Sequence, residues 1–222
     1  LLIEVRWRAG RGLDTEAVMM IDRAVGIKEK VLGTEGTGVA VSLNMKGILL
    51  REGGDLAAAR GVYNRALRIR EKALPPEHPD IAASQSSLGN VLLELGEFAD
   101  ARRLYESALH IEEKVFGSGD IRVARTTNRL AILFRTTGDY AASRPLYERA
   151  LDLTKRARGP DHPDVAGILN GLAILLERTG DFAGARRQYE SALEITKKAH
   201  GPDHLQVALV LNNLGSALVY MG

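Results

Sequence analysis

Three histidines stand at corresponding positions in loops, and histidine is a common metal ligand and acid–base group. His78 and His162 each begin a His-Pro-Asp triplet, and His204 occupies the corresponding position in a later loop. Neighbouring helices lie roughly 8–10 Å apart, so histidines in equivalent loops are too distant to share a metal with bonds of about 2 Å. We therefore predict that these loops are structural, with proline setting the backbone for a helix start.

Other motifs that carry chemistry are missing from the sequence or incomplete. The glycine-rich stretch 33–38 lacks the Gly-Lys-Ser/Thr ending of a phosphate-binding loop, and no strand precedes it. Nucleophile-elbow, zinc-protease and paired-carboxylate patterns do not occur. We therefore expect no enzymatic activity, no metal and no cofactor.

Composition narrows the class of protein further. The chain has 222 residues, 45% of them hydrophobic, a formal net charge of +2 and no cysteine. Disulfides and thiolate metal sites are thus excluded, and we expect a cytoplasmic protein. No apolar run approaches the roughly 20 residues that span a bilayer, and a charge of +2 is too small to indicate a nucleic-acid partner.

The strongest signal is an internal repeat of 42 residues. A Gly-Asp or Gly-Glu pair recurs at this step, and tyrosine, Ala-Leu and asparagine columns keep the same period. The glycines are Gly54, Gly96, Gly138 and Gly180, and the tyrosines are Tyr63, Tyr105, Tyr147 and Tyr189. A period of this length indicates a repeat protein whose units stack to bury a continuous core.

Each unit has the pattern of a helical hairpin. In residues 165–200, apolar side chains recur at helical spacing before and after Gly180-Asp181. The glycine suits a left-handed helix end and the aspartate suits the cap of the next helix. Small residues where the helices meet allow close approach, and we expect the tyrosines to be buried between hairpins. The prediction is about eleven helices, with breaks near Gly53, Gly96, Gly138 and Gly180.

These residues resemble the tetratricopeptide repeat, and the 42-residue length with its His-Pro-Asp elements resembles the kinesin light chain variety. The resemblance implies an all-α, right-handed superhelical α-solenoid of antiparallel helix hairpins. Three positions depart from the pattern: Lys46 replaces leucine, Ile21 replaces tyrosine and Ser143 replaces alanine.

The repeat divides the chain into six parts. We predict a degraded unit at 1–38 with a short first helix, full units at 39–80, 81–122, 123–164 and 165–206, and a lone first helix at 207–222. Since the chain begins with Leu1 and no partner helix follows 207–222, we expect it to belong to a longer protein.

The asparagine column is the first candidate for ligand binding. Asn44, Asn128, Asn170 and Asn212 lie on the first helices, off the leucine stripe. The resemblance implies that this face lines a concave groove, where amides can pair with the backbone of an extended peptide. The alternative is that each asparagine bonds to its neighbouring helix.

An uneven charge distribution supplies the second candidate. Residues 121–160 contain nine Arg or Lys and three acidic residues, whereas residues 81–120 contain three basic and seven acidic ones. Arg125, Arg129 and Arg135 share one helical face and are predicted to bind a carboxylate or an acidic peptide. The alternative is a solvated face that keeps the protein soluble.

These observations favour a scaffold that binds a protein or peptide, possibly acidic, and that binds neither membrane nor nucleic acid. Two rivals remain: a self-association module that forms a homo-oligomer through its ends, and a sensor region of a larger signalling enzyme. A nucleic-acid binder would need aromatic stacking positions among the basic residues, and the arginine stripe has none.

Overall fold

The computed structural model describes residues 12–220, with side chains from residue 16 onward. This part of the chain contains ten α-helices and no strand. The helices are α1 (Gly12–Leu32), α2 (Thr37–Glu52), α3 (Leu56–Ala73), α4 (Pro79–Glu94), α5 (Phe98–Phe116), α6 (Ile121–Thr136), α7 (Tyr140–Arg158), α8 (Pro163–Arg178), α9 (Phe182–His200) and α10 (Leu205–Val219). The predicted short first helix of the degraded unit, and residues 221–222, lie outside the described residues.

The predicted breaks within hairpins are confirmed, with one shift of a single residue. Gly96, Gly138 and Gly180 have φ between 79° and 84°, and Gly54 rather than Gly53 takes the left-handed conformation. The aspartate after the glycine then caps the second helix: the Asp139 carboxylate accepts a hydrogen bond from the Ala142 backbone N–H at 3.1 Å. This pair of residues reverses the chain within a few positions.

The loops between hairpins begin each first helix through a histidine cap. The Nδ1 atoms of His78, His162 and His204 accept hydrogen bonds from the backbone N–H two residues later, at 3.1–3.2 Å. Asp120 performs the same function for α6 with its carboxylate. The predicted structural role of these loops is therefore confirmed, and the histidine side chains themselves supply much of it.

Tyrosines and small residues build the core where helices cross. Tyr105, Tyr147 and Tyr189 have no exposed surface, as predicted. A Cβ atom added to Gly89 would lie 2.8 Å from the Tyr105 ring, so that position admits no side chain without movement. The first helix therefore packs tightly on the second because a small residue faces an aromatic ring.

Two of the departures from the repeat pattern have a structural explanation. The buried Ser143 hydroxyl donates a hydrogen bond of 2.8 Å to the Ala131 carbonyl across its hairpin, so serine is satisfied where alanine is usual. Lys46 is ion-paired with Asp22. The longer side chain thus reaches a partner instead of lying in the apolar core.

The helices divide into two compact units, residues 1–111 and 112–222. Consecutive helices pack on each other in each: α1 on α2, α2 on α3 and α3 on α4 in the first, and α6 through α10 in the second. In the second unit Ala131, Tyr147, Leu172, Ala185 and Tyr189 belong to one continuous buried cluster. Stacked hairpins thus share buried apolar clusters within each unit.

Candidate peptide-binding surface

The candidate surface lies in the second unit, on the side of α6 that carries its two exposed arginines. We call this side the open face of α6; it consists of Arg125, Asn128, Arg129, Ile132 and Arg135. Arg125 and Arg129 are exposed and the other three are half-buried, whereas Val123, Ala124, Leu130 and Leu133 on the remaining sides are buried. The helical period places these open-face residues at spacings of three and four.

Two of the four arginines on α6 are already engaged within the protein. Arg122 pairs with the Asp120 carboxylate through Nε and Nη2, at 2.7 and 2.9 Å. Its guanidinium also stacks on the Phe116 ring. The hydrogen bonds from Arg122 lower the pKa of Asp120 to about 2. Arg122 is therefore held by contacts at the N-terminus of α6 and is not available to a ligand.

The second engaged arginine is Arg135, one of the predicted site residues. Its Nε donates a hydrogen bond of 3.1 Å to the hydroxyl of Tyr147 on α7. Burial raises the pKa of Tyr147, so the neutral hydroxyl is the acceptor. Arg135 thus has a structural contact, with the rest of its guanidinium at the edge of the open face.

Arg125 and Arg129 have no hydrogen bond or ion pair within 4 Å with any described residue. Exposed arginines on the second helices usually differ, because Arg144 pairs with Glu148, Arg156 with Asp152 and Arg186 with Glu190. Two like charges four residues apart on a helix repel each other slightly. The open face of α6 therefore carries two cations on neighbouring turns, neither of which has a salt-bridge partner among the described residues.

The asparagine column has three different environments. The Asn170 carbonyl oxygen accepts a hydrogen bond of 3.0 Å from the side-chain amide of Asn213 on α10. The oxygens of Asn44 and Asn128 are buried without a partner among the described residues, and Asn212 is exposed. At Asn170 the contact with a neighbouring helix is thus present, whereas Asn128 retains an unpaired acceptor beside the two free arginines.

The first unit holds Asn44 in an apolar setting. Around it on α2, Val41, Met45 and Ile48 are exposed. No arginine lies at these three positions, so Asn44 lacks the arginine neighbours that Asn128 has on its own helix.

A buried acid that the sequence reasoning missed lies within the electrostatic influence of Arg125, one of the two unpaired arginines. Glu112, on α5, is only 6% exposed, and its Oε2 atom has no partner among the described residues. Burial raises the pKa of Glu112, while a hydrogen bond with Thr126 and the charges of Arg125 and Arg122 act against this rise. The repeat offered a signal, because Lys28 and Arg70 occupy the same position at steps of 42 residues.

The described residues contain neither a metal-binding cluster nor a membrane-spanning helix. Among the side chains that the structure describes, from residue 16 to residue 220, no three His, Asp or Glu side chains come together in a way that could hold a metal ion. No helix in the described part of the chain is both long and apolar enough to span a bilayer.

Comparison with known proteins places this arrangement in a family. The tetratricopeptide repeat profile matches residues 2–72, 63–114, 80–156, 122–198 and 164–222. A search of curated proteins found no significant match.

Solved structures share the fold. BtubC (BKLC) from P. vanneervenii is 23% identical with a TM-score of 0.77, over 92% of this chain and 82% of that one. A putative kinesin light chain from Podospora anserina with nearly identical repeats is 23% identical with a TM-score of 0.69, over 85% and 90% of the two chains. A variant of that protein is also 23% identical, with a TM-score of 0.71 over 85% and 89% of the two chains. The chain therefore belongs to the tetratricopeptide repeat family, with stacked hairpins like those of the kinesin light chain repeats.

Proposed function

We propose that this chain is a protein-binding scaffold whose second unit holds an extended acidic segment of a partner on the open face of α6. Tetratricopeptide repeats are in general protein-interaction scaffolds, and solenoids of this type bind partners on extended surfaces. The observation that carries the acidic preference is the pair of free guanidinium groups, Arg125 and Arg129, on successive turns of one open face.

Charge complementarity supports this proposal. The Cβ atoms of residues four apart on a helix are about 5–6 Å apart, so one or two carboxylates can contact both arginines. Guanidinium–carboxylate pairs form charge-assisted hydrogen bonds that are stronger than neutral ones. A partner carboxylate would also remove the repulsion between the two cations.

The asparagines complete the proposed contacts with different atoms. Asn128 offers an amide oxygen that lacks a donor, and a backbone N–H of the ligand could supply it after a small rotation of this half-buried side chain. At Asn170 the oxygen is occupied by Asn213, so its amide N–H groups would face a ligand carbonyl. Asn212 would extend this row to α10, and Arg135 would add charge at the edge of the face.

A selection experiment tests the proposal without a known partner. Random nonapeptides displayed on phage are selected against the immobilised chain, and the enriched sequences are synthesised and titrated by fluorescence polarisation at two salt concentrations. We expect enrichment of Asp and Glu, and binding that weakens with salt. Each charge-assisted contact contributes roughly 1.5–3 kcal/mol, so Arg125→Ala/Arg129→Ala should weaken binding at least about tenfold.

The matched control removes the same charge elsewhere. Arg144→Ala/Arg156→Ala deletes two exposed arginines of α7 that are paired with acids of their own helix, and it should leave the affinity near that of wild type. Enriched peptides without acidic residues, or equal affinity and salt dependence in the Arg125→Ala/Arg129→Ala variant, would reject the open face of α6 as the site.

Self-association is a second candidate function, and the exposed side chains of α10 favour it. Leu211 and Leu218 are 45% and 41% exposed. The equivalent Leu169 and Leu176 on α8 are buried, and Leu169 belongs to a core cluster with Ala192 and Ile195 of α9. A helix from a second copy would cover the same positions on α10. Leu214 on the same helix is half-buried against the core of the second unit.

A further inference from the structure

We propose that Glu112 is an internal counter-charge for Arg125, so that the open face of α6 binds anions more tightly when Glu112 takes up a proton. This inference deepens the proposed function and rests on it, because it concerns the regulation of the same site. It assigns to this buried acid an electrostatic role in ligand binding, in addition to its packing in the core.

The position of Glu112 is the first step. The Glu112 side chain is only 6% exposed, so its carboxyl group has almost no contact with water. It has a hydrogen bond with Thr126, the residue next to Arg125, and its second oxygen has no partner among the described residues. A buried carboxylate with one unsatisfied oxygen is unfavourable unless nearby cations stabilise it or a proton neutralises it.

The charges around Glu112 are the second step. Arg125 and Arg122 favour its ionised form, whereas Asp120 disfavours it. Arg122 is held in a bidentate pair with Asp120, so those two charges largely cancel. Arg125 has no salt-bridge partner in the described part of the chain. Its positive charge can therefore attract both the Glu112 carboxylate and an anionic ligand.

The repeat supplies an independent comparison. At the equivalent position of the preceding units, Lys28 bonds the Ser42 hydroxyl and Arg70 bonds the Ser84 hydroxyl. In the following units Thr154 and Thr196 bond a carbonyl of their own helix. The polar residue between hairpins is thus acidic only at Glu112, among these five repeat positions, and that position adjoins the open face with the free arginines.

Thermodynamic linkage gives the sign of the effect. While Glu112 is ionised, it partly neutralises Arg125 and repels an incoming anion. Protonation removes both effects, so an anion binds more tightly below the pKa of Glu112 than above it. Because linkage is reciprocal, a bound anion must in turn favour the protonated form of Glu112, and binding is accompanied by proton uptake.

The binding experiment uses a probe whose own charge does not change with pH. An acetylated, amidated nonapeptide of alternating glycine and cysteic acid carries sulfonates, which stay ionised between pH 4.5 and 8. For the wild-type chain we expect the affinity to increase as pH falls, on the order of fivefold, the lower end of usual site–site coupling. Glu112→Gln should bind tightly at pH 8 and lose most of this pH dependence.

The neighbouring acid provides a matched control. Glu113 is on the same helix and is ion-paired with Arg149. Glu113→Gln should therefore keep the pH dependence of the wild type. Equal pH dependence in Glu112→Gln and wild type would overturn the inference while leaving the proposed function intact. Absence of probe binding at every pH would count against the proposed function instead.

A second measurement needs no ligand. The ¹³C chemical shift of the Glu112 carboxyl group is followed against pH in wild type, Arg125→Ala and Arg129→Ala. Arg125→Ala should raise the pKa of Glu112, because it removes a cation that favours the ionised form. Arg129 is not among the charges that act on Glu112, so Arg129→Ala should change it little. An unchanged pKa in Arg125→Ala would overturn the inference whatever the peptide does.

Discussion

At the scale of single residues, the difference between free and engaged side chains decides what this surface can do. The sequence presents Arg122, Arg125, Arg129 and Arg135 as similar cations on one helix. In the structure Arg122 binds Asp120 and Arg135 binds the Tyr147 hydroxyl. Arg125 and Arg129 therefore remain available to a partner. Which of the four arginines are available depends on tertiary contacts, which the spacing of residues in the sequence does not show.

Tyr147 allows a test of the core at this scale. The fully buried ring lies between α6, where Arg135 reaches its hydroxyl, and Gly171 of α8. Tyr147→Ala removes a large apolar side chain and should lower the free energy of unfolding by roughly 3–5 kcal/mol, measured by urea denaturation. Tyr147→Phe deletes only the hydroxyl and should cost about 0.5–1.5 kcal/mol. An unchanged midpoint for Tyr147→Ala would refute this packing.

Glu112 gives a prediction about pH and stability. Burial raises its pKa above the ordinary 4.5, so the folded state binds the proton more tightly than the unfolded chain does. Below the unfolded value both states are protonated and burial carries no charge penalty; above the folded value the penalty is complete. Glu112→Gln should therefore stabilise the protein near neutral pH by on the order of 1 kcal/mol.

The two melting curves should converge as pH falls towards the ordinary pKa of a glutamic acid. Thermal unfolding at a series of pH values measures this difference, and Glu113→Gln serves as the comparison. A stability difference that is the same at all these pH values would show that the buried charge is not its cause.

At the scale of the helix, α8 contains two glycines in opposite packing environments, one tightly packed and one open. A Cβ atom at Gly171 would lie 2.8 Å from the Tyr147 ring, whereas one at Gly167 would meet nothing within 4 Å. Both glycines lie in the interior of the helix, where glycine is unfavourable relative to alanine. Packing therefore requires glycine at only one of the two positions.

These two positions form a matched pair of variants. Gly167→Ala should raise the free energy of unfolding by about 0.5–1 kcal/mol, because alanine favours the helix and the site is open. Gly171→Ala should lower it by about 1–3 kcal/mol, because the added methyl group overlaps the Tyr147 ring. Denaturation in urea measures both. Equal and positive effects would mean that the close approach of Tyr147 to α8 is wrong.

At the scale of the whole molecule, stacking buries each hairpin only where a neighbour covers it. Tyr105, Tyr147 and Tyr189 are covered and have no exposed surface, whereas Leu205, Leu209, Leu211 and Leu218 of α10 are exposed. Exposed apolar faces of this kind favour association.

We expect concentration-dependent self-association through α10. Sedimentation velocity over a hundredfold range of concentration should show the mean sedimentation coefficient increasing with concentration. Leu211→Lys/Leu218→Lys should abolish the increase with little loss of stability, because both side chains are exposed. A monomer at all concentrations would exclude this second candidate function.

The sequence alone determined the repeat and the helical hairpins, because both depend on local chemistry. The 42-residue period, the left-handed glycines and the capping aspartates each act within a few residues, so spacing was enough to locate the turns at Gly96, Gly138 and Gly180. The burial of the tyrosines also followed, since small residues recur opposite them at the same period. Resemblance to a known repeat then supplied the stacking of hairpins.

Only the tertiary structure decided which polar groups are free. Asn170 is bonded to a residue 43 positions away and Arg135 to one 12 positions away, and neither partner belongs to the columns that revealed the repeat. Glu112 was overlooked because a glutamate on a long helix looks solvent-exposed in sequence, whereas its burial depends on how closely the next hairpin approaches. Hydrogen bonding and burial are set by such distant neighbours, and for that reason a periodic sequence predicts a fold better than it predicts a binding site.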